Sequence, residues 1–212
     1  ALPRVPGSEI VATVEALGDS FPEARNIVSL FPQGRSGLSA GDQVVVSPYS
    51  FGASEAPSVL GFDGDGGLQE YLCCPVELCI PAPTHLSLGQ LLCVPGLSEA
   101  IGFMKELHVE QGEVVVVAGA ESTGVLTAVA AQLRGAVAVL VDPNPARLEI
   151  AEEAGVEYTI NPFRSSVPEE MEWLAPGGTA DVIVETSGDK EAMPGLLAIC
   201  GTGTRIGIAS AV

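Results

Sequence analysis

Residues 114–142 read VVVVAGAESTGVLTAVAAQLRGAVAVLVD: an unbroken valine run, a turn at Gly119, an apolar helix, and a second apolar run ending on Asp142. Runs of β-branched residues without polar alternation fit strands buried on both faces, as in a parallel sheet. The stretch is therefore a βαβ unit whose strand-to-helix turn carries Gly119 and Gly124. That spacing matches the outer glycines of GxGxxG, the turn that seats a dinucleotide pyrophosphate on a helix N-terminus. Position 121, where the middle glycine belongs, is Glu.

Glu121 has two readings. As an obstacle, its carboxylate about 5 Å from a phosphate at an effective dielectric near 20 repels by roughly 3 kcal/mol, on the order of a hundredfold in affinity. As a structural group, a carboxylate in the first helical turn suits the macrodipole and the free N–H groups there, so the chain would supply its own anion. Both readings stay open in the sequence. Asp142 follows Gly124 where an acidic residue would hold the ribose hydroxyls of NAD, or it simply starts the turn Asp142-Pro-Asn-Pro145. Neither Pro143 nor Asn144 is basic, so NAD is favoured over NADP for any dinucleotide that binds.

The same alternation continues outward. Strands are predicted at 113–118, 137–141, 157–160, 180–185 and 203–208, with helices at 122–134, 145–154, 166–174 and 190–199. Asn144 before Pro145 is a helix N-cap and first-turn pair, and Gly155 suits the helix stop. Five strands joined by helices at these spacings require a doubly wound parallel sheet. Upstream, Ser87 is placed to cap a short helix, Pro95-Gly96 to break it, and Leu97–Leu107 to form another. Residues before about 80 read instead as short strands, Glu9–Leu17, Gln43–Ser47 and Leu68–Cys74, separated by turn clusters such as GFDGDGG at 61–67. The expected domains are thus a β domain over 1–80 and a Rossmann-like α/β domain over 81–212.

The 212 residues are 47% hydrophobic and 17% charged, which indicates a folded globular chain. Nine Lys and Arg stand against 27 Asp and Glu, a formal net charge of −18. Such an acidic surface argues against nucleic acid and anionic membranes as partners. No apolar run is long enough to span a bilayer and no signal peptide is visible, so a soluble cytoplasmic protein is expected. Cysteines 73, 74, 79, 93 and 200 lack the paired spacing of a zinc site, and His85 and His108 fall in predicted loops. The expectation is that the cysteines are small buried hydrophobes.

In order along nearly the whole chain, several pieces resemble one family. Val5-Pro-Gly-Ser-Glu-Ile10 with Thr13-Val-Glu-Ala-Leu-Gly18 is similar to a PGHE…V…G pattern, and Gly41-Asp-Gln-Val-Val-Val46 to a GDRV strand. Leu60-Gly61, Gly66-Gly67-Leu-Gln-Glu-Tyr71, Arg147-Leu-Glu-Ile-Ala151 and Asp181-Val-Ile-Val-Glu-Thr-Ser-Gly188 complete the series. Together they resemble the medium-chain dehydrogenase/reductases, the zinc alcohol and polyol dehydrogenases and their zinc-free relatives. The resemblance implies a partial GroES-like β domain ahead of the Rossmann-like sheet. It implies hydride transfer between a nicotinamide and a small-molecule alcohol, carbonyl or enone.

Departures from the family pattern shape the remaining expectations. The position matching a zinc-binding His is Ser8, and the one matching a zinc-binding Glu is Val94. YSFGASEAPSVL at 49–60 stands where a structural-zinc lobe is expected. No zinc is therefore expected, and any chemistry would be zinc-independent, with a hydroxyl or water as proton donor. Ser8, Glu9 and Tyr49 are the catalytic candidates. Gly119, Glu121, Ser122, Thr123, Gly124, Asp142, Ser187 and Gly188 are the cofactor-binding ones, the last two because the resemblance places their loop near the nicotinamide. The alternative is a catalytically inactive relative that binds a ligand or a partner. Because the chain starts inside the β domain's opening strands and stops after the fifth Rossmann strand, Val11 and Val45 are expected to be poorly covered. Association as a homo-oligomer, or membership of a longer chain, is the expected consequence.

Overall fold

The computed structural model describes residues 4–18, 37–50 and 58–209, which divide into two compact units, Ala1–Pro95 and Gly96–Val212. The first unit is built on strands β1 (Ile10–Thr13) and β2 (Gln43–Val46), with β3 (Tyr49–Ser50) and β4 (Ser58–Val59) forming a small hairpin. Strand β5 (Cys79–Pro81) completes an antiparallel sheet in the order β1-β2-β5. Alternation along the strands puts Ile10, Val44, Val46 and Leu78 in one core and Val45 in another. Helix α1 (Leu88–Leu92) closes the second core, where Leu91 and Ala82 meet Val45. Val45 is accordingly buried and Val11 half-buried, contrary to the expectation of poor cover. The pattern of β1 and β2 was legible, but the lid over them comes from a helix some forty residues further on.

Helix α1 starts where Ser87 predicts it: Ser87 and Gln90 form a reciprocal capping box. Pro95-Gly96, expected to break the chain, does not interrupt the next helix. Helix α2 (Val94–Glu106) runs straight through both residues, because proline in a first helical turn sacrifices only an N–H that has no partner there. The strand expected over Leu68–Cys74 is absent as well. Gly66, Gly67 and Leu68 donate instead to the carbonyls of Val5, Gly7 and Pro6 at 2.7–3.0 Å. The chain then bends at Gln69, whose N–H donates to Gly67 O at 2.8 Å. Gly66 permits this crossing, since a Cβ there would lie 2.1 Å from Gly7 O.

The second unit is a five-stranded parallel sheet formed by β6 (Val114–Ala118), β7 (Val137–Val141), β8 (Tyr158–Ile160), β9 (Ala180–Glu185) and β10 (Cys200–Ile208). Their spatial order is β10-β9-β6-β7-β8, the doubly wound arrangement that switches direction between β6 and β9. Every residue of β6 is buried. Val115, Val117, Leu140, Val182 and Val184 pack against α2, α3 (Ser122–Leu133) and α4 (Pro145–Glu153). Val116, Val139 and Ile183 pack on the other face with α5 (Val167–Leu174) and α6 (Met193–Leu197). Helix α6 is shorter than the 190–199 expected, and β10 begins three residues earlier than expected with an irregularity between Cys200 and Arg205. No helix among the described residues is long and apolar enough to cross a membrane.

Candidate functional site

Strands β6, β7 and β9 end side by side, and their C-terminal loops meet at the glycine turn. Gly119 has φ +100°, and a Cβ there would lie 2.9 Å from both Ser187 N and Thr186 Oγ1. A Cβ on Gly124 would lie 1.7 Å from Gly119 O. Both glycines are therefore required by close backbone packing between the turn, the start of α3 and the β9 loop. The hydroxyl of Thr186 fastens that loop by donating to Ala118 O at 2.8 Å. Glu185, only 2% exposed, accepts from Ser187 N at 2.7 Å, Ser187 Oγ at 2.5 Å and Gly188 N at 3.0 Å. A buried carboxylate thus shapes the loop carrying Ser187 and Gly188.

Glu121 is the N-cap of α3, yet its side chain caps nothing. It reaches across to α4, where Arg147 Nη2 donates to its carboxylate at 2.7 Å. The self-supplied anion expected as one reading is not what forms: the Glu121 carboxylate makes no cap hydrogen bond to the first-turn N–H groups, around Ser122 and Thr123. A guanidinium 26 residues away in sequence competes better for the carboxylate than dipole-weighted N–H groups do.

Arg147 also approaches Asp142, with Nη1 3.8 Å from Oδ2. Asp142 is 2% exposed, and its carboxylate already accepts Ala120 N and Asn144 N, each at 2.7 Å. It therefore ties the end of β7 both to its own turn and to the glycine turn. Arg147 is the residue that sequence reasoning missed. The positions adjoining the strand end, Pro143 and Asn144, carry no positive charge, but one turn of α4 brings the guanidinium back to it.

Six of the eight cofactor candidates, Gly119, Glu121, Ser122, Thr123, Gly124 and Asp142, belong to this one turn and the strand end beside it. Ser187 and Gly188 belong to the loop packed on it. The catalytic candidates lie in the first unit. Ser8 and Glu9 immediately precede β1, Ser8 half-buried and Glu9 exposed, and Tyr49 is 40% exposed on the β3–β4 hairpin. Among the described residues, no three His, Cys, Asp or Glu side chains converge in a way that would hold a metal. The cysteines depart from expectation, since none is buried: Cys73 and Cys93 are exposed, and Cys74, Cys79 and Cys200 are half-buried. His108 sits in a turn, as expected, with Nδ1 2.8 Å from Lys105 O.

The fold and this turn define a dinucleotide-type α/β unit preceded in the chain by a small β unit, and known proteins share that combination. Residues 1–84 match the alcohol dehydrogenase GroES-like domain, and residues 122–211 match the zinc-binding dehydrogenase family. A zinc-type alcohol dehydrogenase-like protein of Haemophilus influenzae is 31% identical over 198 residues, covering 88% of this chain and 54% of its own length. The 2-dehydro-3-deoxy-L-galactonate 5-dehydrogenase of Pseudoalteromonas atlantica is 28% identical over 198 residues, covering 87% of this chain and 57% of its own. The crystal structure of 2R,3R-butanediol dehydrogenase from Bacillus subtilis superposes with a TM-score of 0.79 at 25% identity, over 99% of this chain and 59% of that one. The chain belongs to the medium-chain dehydrogenase/reductase superfamily. It spans just over half the length of the curated relatives it matches.

Proposed function

We propose that the chain is a nicotinamide-dependent oxidoreductase of the alcohol and polyol dehydrogenase type, taking NAD and working without zinc. The observation that carries this reading is the mouth of α3. Among the described residues its first turn receives no side-chain cap from the N-cap position, and the carboxylate at the middle-glycine position is drawn away by Arg147. The turn therefore fits a pyrophosphate, with Gly119 and Gly124 allowing close backbone approach. When bound, the nicotinamide supplies or accepts the hydride exchanged with a small alcohol, carbonyl or enone.

The chain's own residues orient that exchange. The Glu185-braced loop carries Ser187 and Gly188 at the C-terminal edge of the sheet, where ligands of this architecture bind. Glu121 and Asp142 share the single guanidinium of Arg147, so this end of the seat keeps an excess negative charge. A 2′-phosphate would add to that excess, which supports NAD over NADP. The accompanying proton is assigned to the hydroxyls of Ser8 or Tyr49, with Glu9 as the neighbouring carboxylate.

A second reading, a non-catalytic relative that binds a ligand or partner, is favoured by Glu121 itself, a charged side chain at the position of the fingerprint's middle glycine. Titration with NADH and NADPH, following nicotinamide fluorescence, separates the two. Saturable NADH binding, tighter than NADPH, is expected. Failure of both to bind favours the second reading.

A further inference from the structure

We propose that Cys74 and Cys79 form a reversible intramolecular disulfide, a thiol–disulfide site in the first unit that is independent of the dinucleotide seat. Their Sγ atoms lie 3.7 Å apart. Only Pro75 and the 3-10 turn Val76–Leu78 separate the two residues. Cys79 is the first residue of β5 and pairs with Val46 of β2, so one partner is anchored in the sheet. Cys74 ends the irregular segment before the turn. Both thiols are half-buried, which leaves them reachable by a small oxidant. They also line one cavity together with Val14, Leu38 and Leu72.

The other cysteines lack such a partner. Cys93 Sγ is directed to Gly89 O at 3.4 Å and Cys200 Sγ to Leu196 O at 3.5 Å, each the carbonyl one helical turn back. Cys73 is exposed. No third His, Cys, Asp or Glu joins the pair among the described residues, so the site is a dithiol rather than a metal centre.

The two thiols are not equivalent. The hydrogen bond from Cys79 draws the Cys74 thiol down to about 7, against the opposing effect of its burial. The same hydrogen bond pushes Cys79 up, reinforced by burial and by the charges of Cys74 and Glu77. Cys74 is thus the attacking thiolate and Cys79 the resolving thiol. With oxidised glutathione as oxidant, Cys74 Sγ attacks one glutathione sulfur, the glutathione S–S bond breaks, and one glutathione thiolate leaves. Cys79 then loses its proton and attacks Cys74 Sγ, expelling the second glutathione. Two electrons pass to glutathione and two thiol protons are released. The product ties the segment before Pro75 to the edge of the β1-β2-β5 sheet, and a dithiol reductant reverses it.

The test incubates the full chain with oxidised glutathione near neutral pH, followed by intact mass, free-thiol titration and peptide mapping after alkylation. The parent is expected to lose two hydrogens and two of its five free thiols, to yield a linked Cys74–Cys79 peptide, and to recover both thiols with dithiothreitol. Cys79→Ser should stop at a glutathione adduct on Cys74, Cys74→Ser should form no bridge, and Cys73→Ser should behave as the parent. Iodoacetamide at neutral pH should label Cys74 about severalfold faster than an unperturbed model thiol, since its larger thiolate fraction outweighs its lower intrinsic nucleophilicity. Retention of all five thiols, a bridge that uses Cys73, or a glutathione adduct that persists on Cys74 in the parent would overturn the proposal. None of these readouts depends on whether a dinucleotide binds.

Discussion

Replacing Glu121 by Gly restores the missing middle glycine and tests how charge is distributed around the seat. The bare-charge repulsion of roughly 3 kcal/mol is an upper bound, because the carboxylate is 64% exposed and lies 2.7 Å from Arg147 Nη2. An exposed pair of this kind contributes about 0–1 kcal/mol to stability, and it presents an incoming phosphate with nearly cancelling charges. Substitution has two favourable effects on binding: the residual repulsion disappears, and the guanidinium is freed. A unit charge about 7 Å from a phosphate at an effective dielectric near 40 contributes roughly 1 kcal/mol. The expected gain is therefore about 1–2 kcal/mol, or about 5- to 30-fold tighter NADH binding. Glycine at an N-cap costs only about a few tenths of a kcal/mol relative to good capping residues, and Glu121 supplies no cap to lose, so the variant should melt like the parent. Arg147→Ala should act in the opposite direction, weakening NADH about tenfold or more as Glu121 loses its counter-charge. The double variant should fall between the two. Calorimetry or NADH fluorescence at about 0.02 M and about 0.5 M salt provides the measurement, with the gain shrinking at high salt as the Debye length falls. Equal or weaker NADH binding by Glu121→Gly at low salt, together with an unaffected Arg147→Ala, would refute the role given to this pair.

Gly124→Ala should destabilise the chain by about 2–4 kcal/mol in urea unfolding, because its Cβ would lie 1.7 Å from Gly119 O. Gly102→Ala, in α2 with open space around it, should instead stabilise by about 0.5–1 kcal/mol. Burial raises the Glu99 carboxyl above its usual range, so the folded state holds that proton more tightly than the unfolded chain does. Its contribution is then fully present below the unfolded carboxyl's titration and is lost as pH rises through the folded one. Glu99→Gln should accordingly melt higher than the parent at neutral pH, with the difference vanishing in thermal scans at acid pH. Strand β10 is an edge of the parallel sheet, with Ile206 and Ile208 exposed on it. If self-association uses that edge, sedimentation will depend on concentration in the parent, and Ile206→Lys with Ile208→Lys will shift it towards monomer.

The βαβ core, the glycine turn and the order of elements in the second unit were all legible in the chain. Strand burial on two faces leaves an unbroken valine run, and backbone crowding at the turn permits only glycine at 119 and 124. Periodicity and capping are local, so Ser87 and Asn144 marked helix starts without knowledge of the rest. The Leu68–Cys74 segment misled for the converse reason: its apolar residues suggest a strand, but Leu68 and Tyr71 are 74% and 68% exposed. The backbone there is spent on Val5–Gly7 rather than on a ladder.

What only the tertiary structure decided is where the charges and thiols of the sites point. Glu121 is near Arg147 because α3 and α4 both start at the sheet's C-terminal edge, where the neighbouring strands β6 and β7 end side by side. Asp142 is taken up by Ala120 N–H because β6 and β7 end in register. Cys74 meets Cys79 because the proline-led turn before β5 brings their sulfur atoms together. A sequence fixes local backbone preference residue by residue, but the partner of a charged or nucleophilic side chain depends on which distant segments the packed core brings within hydrogen-bond reach.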